Sequence, residues 1–263
     1  MEFMLSHTIG FLVVCGTISV IAKKYFSPAS VTARIKRSNE LLYIPKHHYR
    51  RTNPKNFPKL DHSFYYTTRR ELENLGFRFI DYIEDVTANN MKICGITTFS
   101  SNMTGCGGSV VASFYDPRPS LIMRLMANLT GLRITPSIDL ETYFTNGDIL
   151  ATSNSEASSK INMPSRIIIQ YEAVGSAAGN MLRTHLYRLN SYRKTHPEAE
   201  IEVIDNYDKI IEKQQYTNQL RAEFMEQLGC ITHKTISKMA ASDKGAASSV
   251  DEIYRKIIKL EKK

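Results

Sequence analysis

The sequence predicts an α+β fold, in which a single N-terminal transmembrane helix precedes an antiparallel sheet covered by helices, and further helices follow at the C-terminus. Three observations predict it. Residues 4–22 form an apolar run without a charged side chain, strand-like runs fill the middle of the chain, and helical patterns dominate its last third. Two groups of three strands, each preceded by a helix, are typical of an antiparallel sheet with helices packed on it.

The apolar run is predicted to be a permanent membrane anchor. As a helix it spans roughly 30 Å, which matches the thickness of the hydrocarbon layer. Lys23 and Lys24 follow the run, whereas only Glu2 precedes it. A cleaved export signal has the opposite order, with positive charge first and small residues last. A lipidated Cys15 is an alternative, although Val14 stands where a lipoprotein signal carries a small residue.

The positive charge of the chain is confined to one segment. The whole sequence carries +8, and residues 23–59 alone carry +9 from ten basic side chains and one acidic side chain. Because Lys and Arg beside a membrane helix resist translocation, this segment predicts an N-terminus outside and a cytoplasmic C-terminal domain. Each basic side chain close to anionic headgroups is attracted to them by ~1 kcal/mol. The predicted lipid-contacting residues are Lys23, Lys24, Arg34, Lys36 and Arg37.

The chain is predicted to have four parts. They are a transmembrane anchor at 1–26, a basic juxtamembrane tether at 27–62, an α+β globular domain at 63–232, and a linker with a C-terminal amphipathic helix at 233–263. Pro45 is expected to end a helix in the tether, and residues 47–51 are expected to be irregular. His47 and His48 are poor metal ligands as a pair, because neighbouring side chains diverge.

Local patterns predict the elements of the globular domain. The sequence from Thr68 to Glu71 matches a capping box and predicts the start of a short helix, which Gly76 ends. The predicted strands are 77–84, 91–98, 108–115, 138–145, 148–154 and 166–173, and the predicted later helices are 176–195 and 206–228.

Asn146-Gly147 predicts a hairpin with a two-residue turn, because both turn positions need a positive φ that Asn and Gly tolerate. In that register Phe144 faces Ile149 and Tyr143 faces Leu150. Four polar side chains then share the Tyr143 face as candidate ligand-binding residues: Asp139, Glu141, Thr152 and Asn154. The ordinary alternative is that they form the solvent side of a half-buried hairpin.

Cys106 lies among three glycines, at 105, 107 and 108, and is the candidate catalytic residue. An exposed thiolate could act as a nucleophile, or the backbone of the loop could hold an anion. The ordinary alternative is a Gly-rich connection between two strands. No sequence signature indicates which histidine would serve as its base.

No other motif predicts chemistry. His185 lies on an apolar helix stripe and is expected to be a hydrogen-bonded core residue. We expect no cofactor and no metal site. Nucleic acid is not an expected partner, because residues 60–263 are electrically neutral and carry no recognisable binding motif.

These patterns leave three hypotheses. In the first, the cytoplasmic domain is a binding or scaffold module held near anionic lipid, and the 250–260 helix binds a protein partner or self-associates. In the second, the protein is a membrane-tethered hydrolase or transferase that uses Cys106 or the polar face of the 138–154 hairpin. In the third, the domain lies on the outer side of the membrane, as an envelope or lumenal protein. A pocket that contains Cys106 and a histidine would favour the second.

Overall fold

The computed structural model describes residues 44–58, 60–90, 95–116, 136–155 and 163–228. Nearly all of them belong to one compact unit, Glu40–Gln227. The predicted anchor, the five predicted lipid-contacting residues and the 250–260 helix lie outside the described residues. Within those residues, no helix has the length and apolar character needed to cross a membrane.

The described residues contain one seven-stranded sheet whose strands follow each other in chain order. The strands are β1 Tyr49–Arg51, β2 Arg78–Asp85, β3 Ile96–Met103, β4 Ser109–Tyr115, β5 Ser137–Tyr143, β6 Ile149–Ser153 and β7 Ile167–Tyr171. Neighbours from β1 to β6 pair antiparallel, and an antiparallel sheet was predicted for the strands from β2 onward. β7 differs, because it runs parallel to β6. The parallel pair departs from the predicted antiparallel order, since parallel neighbours cannot be joined by a tight turn.

Four α-helices are present in this part of the chain, and a 3₁₀ turn at Pro54–Asn56 precedes them. The helices are α1 His62–Asn74, α2 Val86–Asn90, α3 Ala178–Thr195 and α4 Tyr207–Leu228. α3 and α4 begin within two residues of their predicted starts. The predicted start of α1 is wrong, because Asp61 is the N-cap and accepts a hydrogen bond from Phe64 N at 3.1 Å. Gly76 follows the helix with a φ of 87°, as its capping role requires.

Helices cover both faces of the sheet, so the mixed α+β architecture is confirmed. α1 and α3 pack on one face, over a core that includes Leu72, Phe114, Leu140 and Met181. α4 packs on the other face, over a core that includes Phe99, Tyr143, Ile149 and Ile210. The alternation of side chains along β4 and β5 supplies both cores, because successive strand residues point to opposite faces.

The end of the predicted tether belongs to the sheet. β1 pairs with β2, so the prediction of irregular chain is wrong for Tyr49–Arg51. Arg50 Nε lies 2.6 Å from Glu84 Oε2, and Arg51 Nε lies 3.0 Å from Asp81 Oδ2. Two of the ten basic side chains in residues 23–59 are thus paired with acids of β2. A three-residue edge strand has little signal of its own, since its partner strand decides whether it forms.

Candidate functional site

The hairpin of β5 and β6 has a different register from the predicted one. Tyr143 lies opposite Ile149 and Thr142 opposite Leu150. Phe144 N donates to Asp148 O at 3.0 Å, and Gly147 N donates to Phe144 O at 2.9 Å. The loop therefore has three residues, 145–147, and Gly147 holds a positive φ of 86° at its end. A three-residue loop that ends in such a glycine is the next most common hairpin connection after the two-residue turn.

This shift by one residue splits the predicted polar face, because it moves every β6 side chain to the opposite side of the sheet. Asp139 and Glu141 face α4, whereas Thr152 and Asn154 face α3. Asn154 Oδ1 accepts a hydrogen bond from Ile138 N at 2.7 Å, and its Nδ2 donates to Ser176 O at 3.3 Å. These bonds tie the end of β6 to its neighbours and give Asn154 a structural role.

His185 of α3 is a buried core histidine, as predicted. Its Nε2 lies 2.9 Å from Thr142 Oγ1 and its Nδ1 lies 3.0 Å from Thr152 Oγ1. Burial, together with the nearby charge of Arg188, lowers its pKa to about 3. The imidazole is therefore neutral at physiological pH, with one ring nitrogen donating and the other accepting. Both threonine hydroxyls can complete these bonds, so the group is satisfied within the core.

Arg188 fixes the parallel edge of the sheet from the same helix. Its guanidinium donates to Thr152 Oγ1 at 2.9 Å, to Ile168 O at 2.7 Å and to Ala151 O. Burial lowers the pKa of this guanidinium. Since its donors bind carbonyls of both β6 and β7, the side chain holds the two strands together.

The face of the sheet under α4 carries a second polar group, which we call the acidic sheet face: Asp139, Glu141 and Arg221. Burial raises the pKa of Asp139 to about 6, with a hydrogen bond from Ser153 and the charge of Arg221 opposing the shift and Glu141 adding to it. Glu141 Oε2 accepts a hydrogen bond from the Tyr143 hydroxyl at 2.5 Å. Asp139 Oδ1 and Arg221 Nε are buried without a hydrogen-bond partner. A carboxyl with a pKa near neutrality can exchange protons at physiological pH.

Cys106 lies at the tip of the β3–β4 hairpin, which confirms the strand-connection interpretation of its loop. Thr104 N donates to Gly108 O at 2.8 Å, closing the loop. Cys106 is a free, half-buried cysteine that packs beside the apolar cluster containing Phe144 and Ile201. No histidine among the described residues hydrogen-bonds its thiol. A Cβ at Gly108 would lie 2.2 Å from Ile201 Cγ2, so this glycine permits close packing.

An open groove that the sequence analysis missed runs along the outer face of α1. We call it the α1 groove; its volume is about 790 Å³, and the 3₁₀ turn, α1 and Tyr82 of β2 line it. Its charged or titratable lining side chains are Lys55, His62, Arg69, Arg70 and Glu73. The helical spacing of His62, Arg69 and Arg70 could have indicated a basic face on α1, but only the fold places Lys55 in the same groove.

A second groove of about 560 Å³ lies beside α4. Its charges compensate each other, because Lys46 and Lys213 line it together with Glu202 and Glu212. Lys213 Nζ lies 2.6 Å from Glu202 Oε2 and 3.3 Å from Glu212 Oε1. This groove therefore has no excess charge to attract an ionic ligand.

Within the described ranges, no three or more His, Cys, Asp or Glu side chains are grouped so as to hold a metal ion. His47 Nδ1 instead lies 2.6 Å from Asp85 Oδ2 and joins the N-terminal segment to β2. Comparison with known proteins found no matching family model, no matching curated protein and no matching solved structure.

Proposed function

We propose that the protein is a single-pass membrane protein whose cytoplasmic α+β domain is a binding module held close to anionic lipid by its basic tether. The observation that carries this proposal is the way the chain enters the domain. Within the basic segment, Tyr49–Arg51 form strand β1, and His47 is hydrogen-bonded to Gln215 of α4. A tether that ends in a rigid connection keeps its domain near the surface to which its other end is anchored.

His47 is the centre of this connection. Its side chain pairs with Asp85, and its backbone N donates to Gln215 Oε1 at 3.0 Å. Gln215 Nε2 in turn donates to His47 O. The amide of one α4 side chain thus binds both backbone groups of His47, as a neighbouring strand would. We call these contacts the His47 clamp.

The paired arginines of β1 limit where the lipid-directed charge lies. Glu84 and Asp81 pair with Arg50 and Arg51, so these two arginines add little net charge to the tether. Screening restricts the attraction to charges within about 8–10 Å of the headgroups at physiological salt. We therefore assign lipid attraction to the segment that contains Lys36 and Arg37.

The structure around Cys106 and around the predicted polar hairpin face favours binding over catalysis. Cys106 is half-buried at a hairpin tip without a hydrogen-bonded histidine among the described residues. The predicted polar hairpin face is divided between two faces of the sheet. Neither feature supplies an assembled set of nucleophile, base and orienting group.

Membrane fractionation and topology mapping of the full chain test the proposal. The protein should remain in membranes at high salt and at alkaline pH, and a C-terminal reporter should be active only on the cytoplasmic side. In vesicle assays, Lys36→Gln with Arg37→Gln should weaken attraction to anionic lipid, whereas Arg50→Gln with Arg51→Gln should not. Release by salt alone, or a reporter active only outside, would contradict the proposal.

A second candidate function is a membrane-tethered enzyme that uses the acidic sheet face. The specific observation in its favour is that Asp139, with a pKa of about 6, lies beside Glu141 and Arg221. Groups with shifted pKa values are enriched at active sites, although structural networks also shift them. Turnover of an ester or phosphate reporter that Glu141→Gln abolishes without loss of folding would establish this alternative.

A further inference from the structure

We infer that the α1 groove binds a phosphate monoester, carried by a membrane headgroup or by a free metabolite. This inference deepens the proposed binding function and rests on it, because it names a site and a ligand class for the same domain. The groove volume of about 790 Å³ lies within the range of roughly 300–1,000 Å³ that is typical of small-ligand sites.

The charge of the groove is unbalanced in favour of cations. Among the described residues that line it, Glu73 alone is acidic, and Arg69 pairs with Glu73 at 2.8 Å. Lys55 and Arg70 line the same groove and make no ion pair with any residue that the structure describes. Two unpaired cations in one groove create a field that attracts an anion, and the concave surface strengthens it.

Arg69 forms part of the wall of the groove. Its guanidinium lies 3.9 Å from the centre of the Phe79 ring, and its Nη1 donates to the Tyr82 hydroxyl at 3.5 Å. Together with its Glu73 partner, these contacts hold Arg69 in place. The ligand-directed charge is therefore assigned to Lys55 and Arg70.

The framework of the groove is organised before any ligand arrives. Asn53 accepts a hydrogen bond from Lys55 N at 3.0 Å and so caps the 3₁₀ turn. Asp61 caps α1, and the buried Tyr65 hydroxyl donates to Ile96 O at 2.7 Å. A preformed site loses less conformational entropy on binding than a mobile one.

Tyr66 provides an apolar surface at the groove. Its side chain is 68% exposed, one of the largest exposures of a large hydrophobic residue in the described part of the chain. An exposed aromatic ring next to cationic side chains suits a ligand that has a carbon skeleton as well as a charged group. Inorganic phosphate alone would leave this ring without a contact.

The ligand class follows from these features. A phosphate monoester carries a charge of about −1.5 to −2 near pH 7, which matches two unpaired cations. Arg70 can bind two phosphate oxygens through its planar fork of N–H donors, and Lys55 supplies a compact charge. Both the headgroup of phosphatidic acid and a soluble sugar or glycerol phosphate have this chemistry.

Calorimetric titration of the full chain in neutral detergent tests the inference with two probes. Glycerol 3-phosphate represents the free metabolite, and dihexanoyl phosphatidic acid represents the headgroup, with dihexanoyl phosphatidylcholine as the zwitterionic comparison. We expect saturable binding of at least one monoester. The double variant Lys55→Gln with Arg70→Gln should weaken this binding about tenfold or more, which corresponds to ~1.4 kcal/mol. The charge-retaining pair Lys55→Arg with Arg70→Lys should keep measurable binding.

Arg183→Gln with Lys194→Gln is the matched control, because it removes two exposed cations from α3, away from the lining of the groove. Equal binding of both probes identifies the phosphate monoester that they share as the determinant, whereas binding of phosphatidic acid alone identifies a lipid headgroup. Saturable binding of neither probe, or an equal loss in the α3 control, would overturn the inference. The titration needs no oriented membrane, so a failure of the proposed anchor would appear in fractionation and leave this result unaffected.

Discussion

Asp139 and His185 lie on opposite faces of the same sheet, and burial shifts both toward the neutral form. It raises the pKa of the acid to about 6 and lowers that of the imidazole to about 3. The signs are opposite because the charged form is the deprotonated one in Asp and the protonated one in His. The partners differ: two threonine hydroxyls bind His185, whereas Asp139 has one buried oxygen without a hydrogen bond.

The first prediction concerns Asp139→Asn. Because the pKa of Asp139 is raised in the folded state, the native state binds more protons than the unfolded state from about pH 4 to 6. The stability that Asp139 contributes is therefore complete below pH 4 and is lost as the pH rises through about 6. The substitution should therefore raise the free energy of unfolding at pH 7.5 by roughly 1–3 kcal/mol and have little effect at pH 4. Urea unfolding at several pH values, followed by tyrosine fluorescence, measures this difference.

His185 acts in the opposite direction over an overlapping range, because its lowered pKa makes the unfolded state bind more protons. His185 is present in both proteins, so the difference in free energy of unfolding between variant and wild type reports on Asp139. Ser153→Ala provides a check, since it removes the hydrogen bond that lowers the pKa of Asp139 and should move the affected range upward. An Asp139→Asn variant with the same stability difference at pH 4 and pH 7.5 would contradict the prediction.

At the scale of elements, one loop decides which side chains meet. Gly147 ends the β5–β6 loop with positive φ, and the space beside it is closed by Arg166 and Tyr216. The Tyr216 hydroxyl donates to Gly147 O at 2.7 Å, and Arg166 Nη1 donates to Asn146 O at 3.2 Å. Arg166, which directly precedes β7, and Tyr216 of α4 therefore hold the loop in the three-residue form.

The second prediction compares Gly147→Ala with Gly105→Ala. A Cβ at Gly147 would lie 2.4 Å from Arg166 Nη1 and 2.7 Å from Tyr216 Oη, and its φ of 86° is unfavourable for alanine. We expect a loss of at least ~1 kcal/mol in the free energy of unfolding. Gly105 has nothing within 4 Å of the corresponding position, so Gly105→Ala should be neutral or slightly stabilising. Equal effects in chemical unfolding would show that the loop tolerates another conformation.

At the scale of the whole molecule, the His47 clamp joins parts of the chain that are far apart in sequence. His47 and Gln215 are 168 residues apart, and Asn218 of the same helix donates to the Tyr49 hydroxyl at 2.7 Å. β1 therefore depends on both β2 and α4.

The third prediction is that Gln215→Ala loosens β1 locally. Loss of two hydrogen bonds at a partly buried site should cost roughly 1–2 kcal/mol. Hydrogen exchange should then accelerate at Tyr49–Arg51 and remain unchanged in β5 and β6, because local opening precedes global unfolding. Gln219→Ala is the control, since Gln219 is exposed and donates to Glu223 on its own helix at 2.9 Å. Unchanged protection of β1 in Gln215→Ala would show that β2 alone holds the strand.

Local sequence signals determined much of the element list. β2, β4, α3 and α4 begin within two residues of their predicted starts, because alternation, helical periodicity and terminal glycines act over a few residues. Asp61, which caps α1, lies seven residues before the predicted capping box, because two capping patterns compete in that stretch and only packing selects between them. The role of His185 was also predictable, since an apolar helix stripe implies a buried position.

The tertiary structure decided the hairpin register, the faces of Thr152 and Asn154, the formation of β1, and the α1 groove. Each of these depends on groups distant in sequence: Arg166 and Tyr216 hold the Gly147 loop, Asp85 and Gln215 hold His47, and the fold places Lys55 in the groove that Arg70 lines. A one-residue change of register costs little locally but reverses every side chain of a strand, so only the packing of both sheet faces selects it. The sequence by itself determined most of the helices and strands, and long-range packing determined which polar groups share a site.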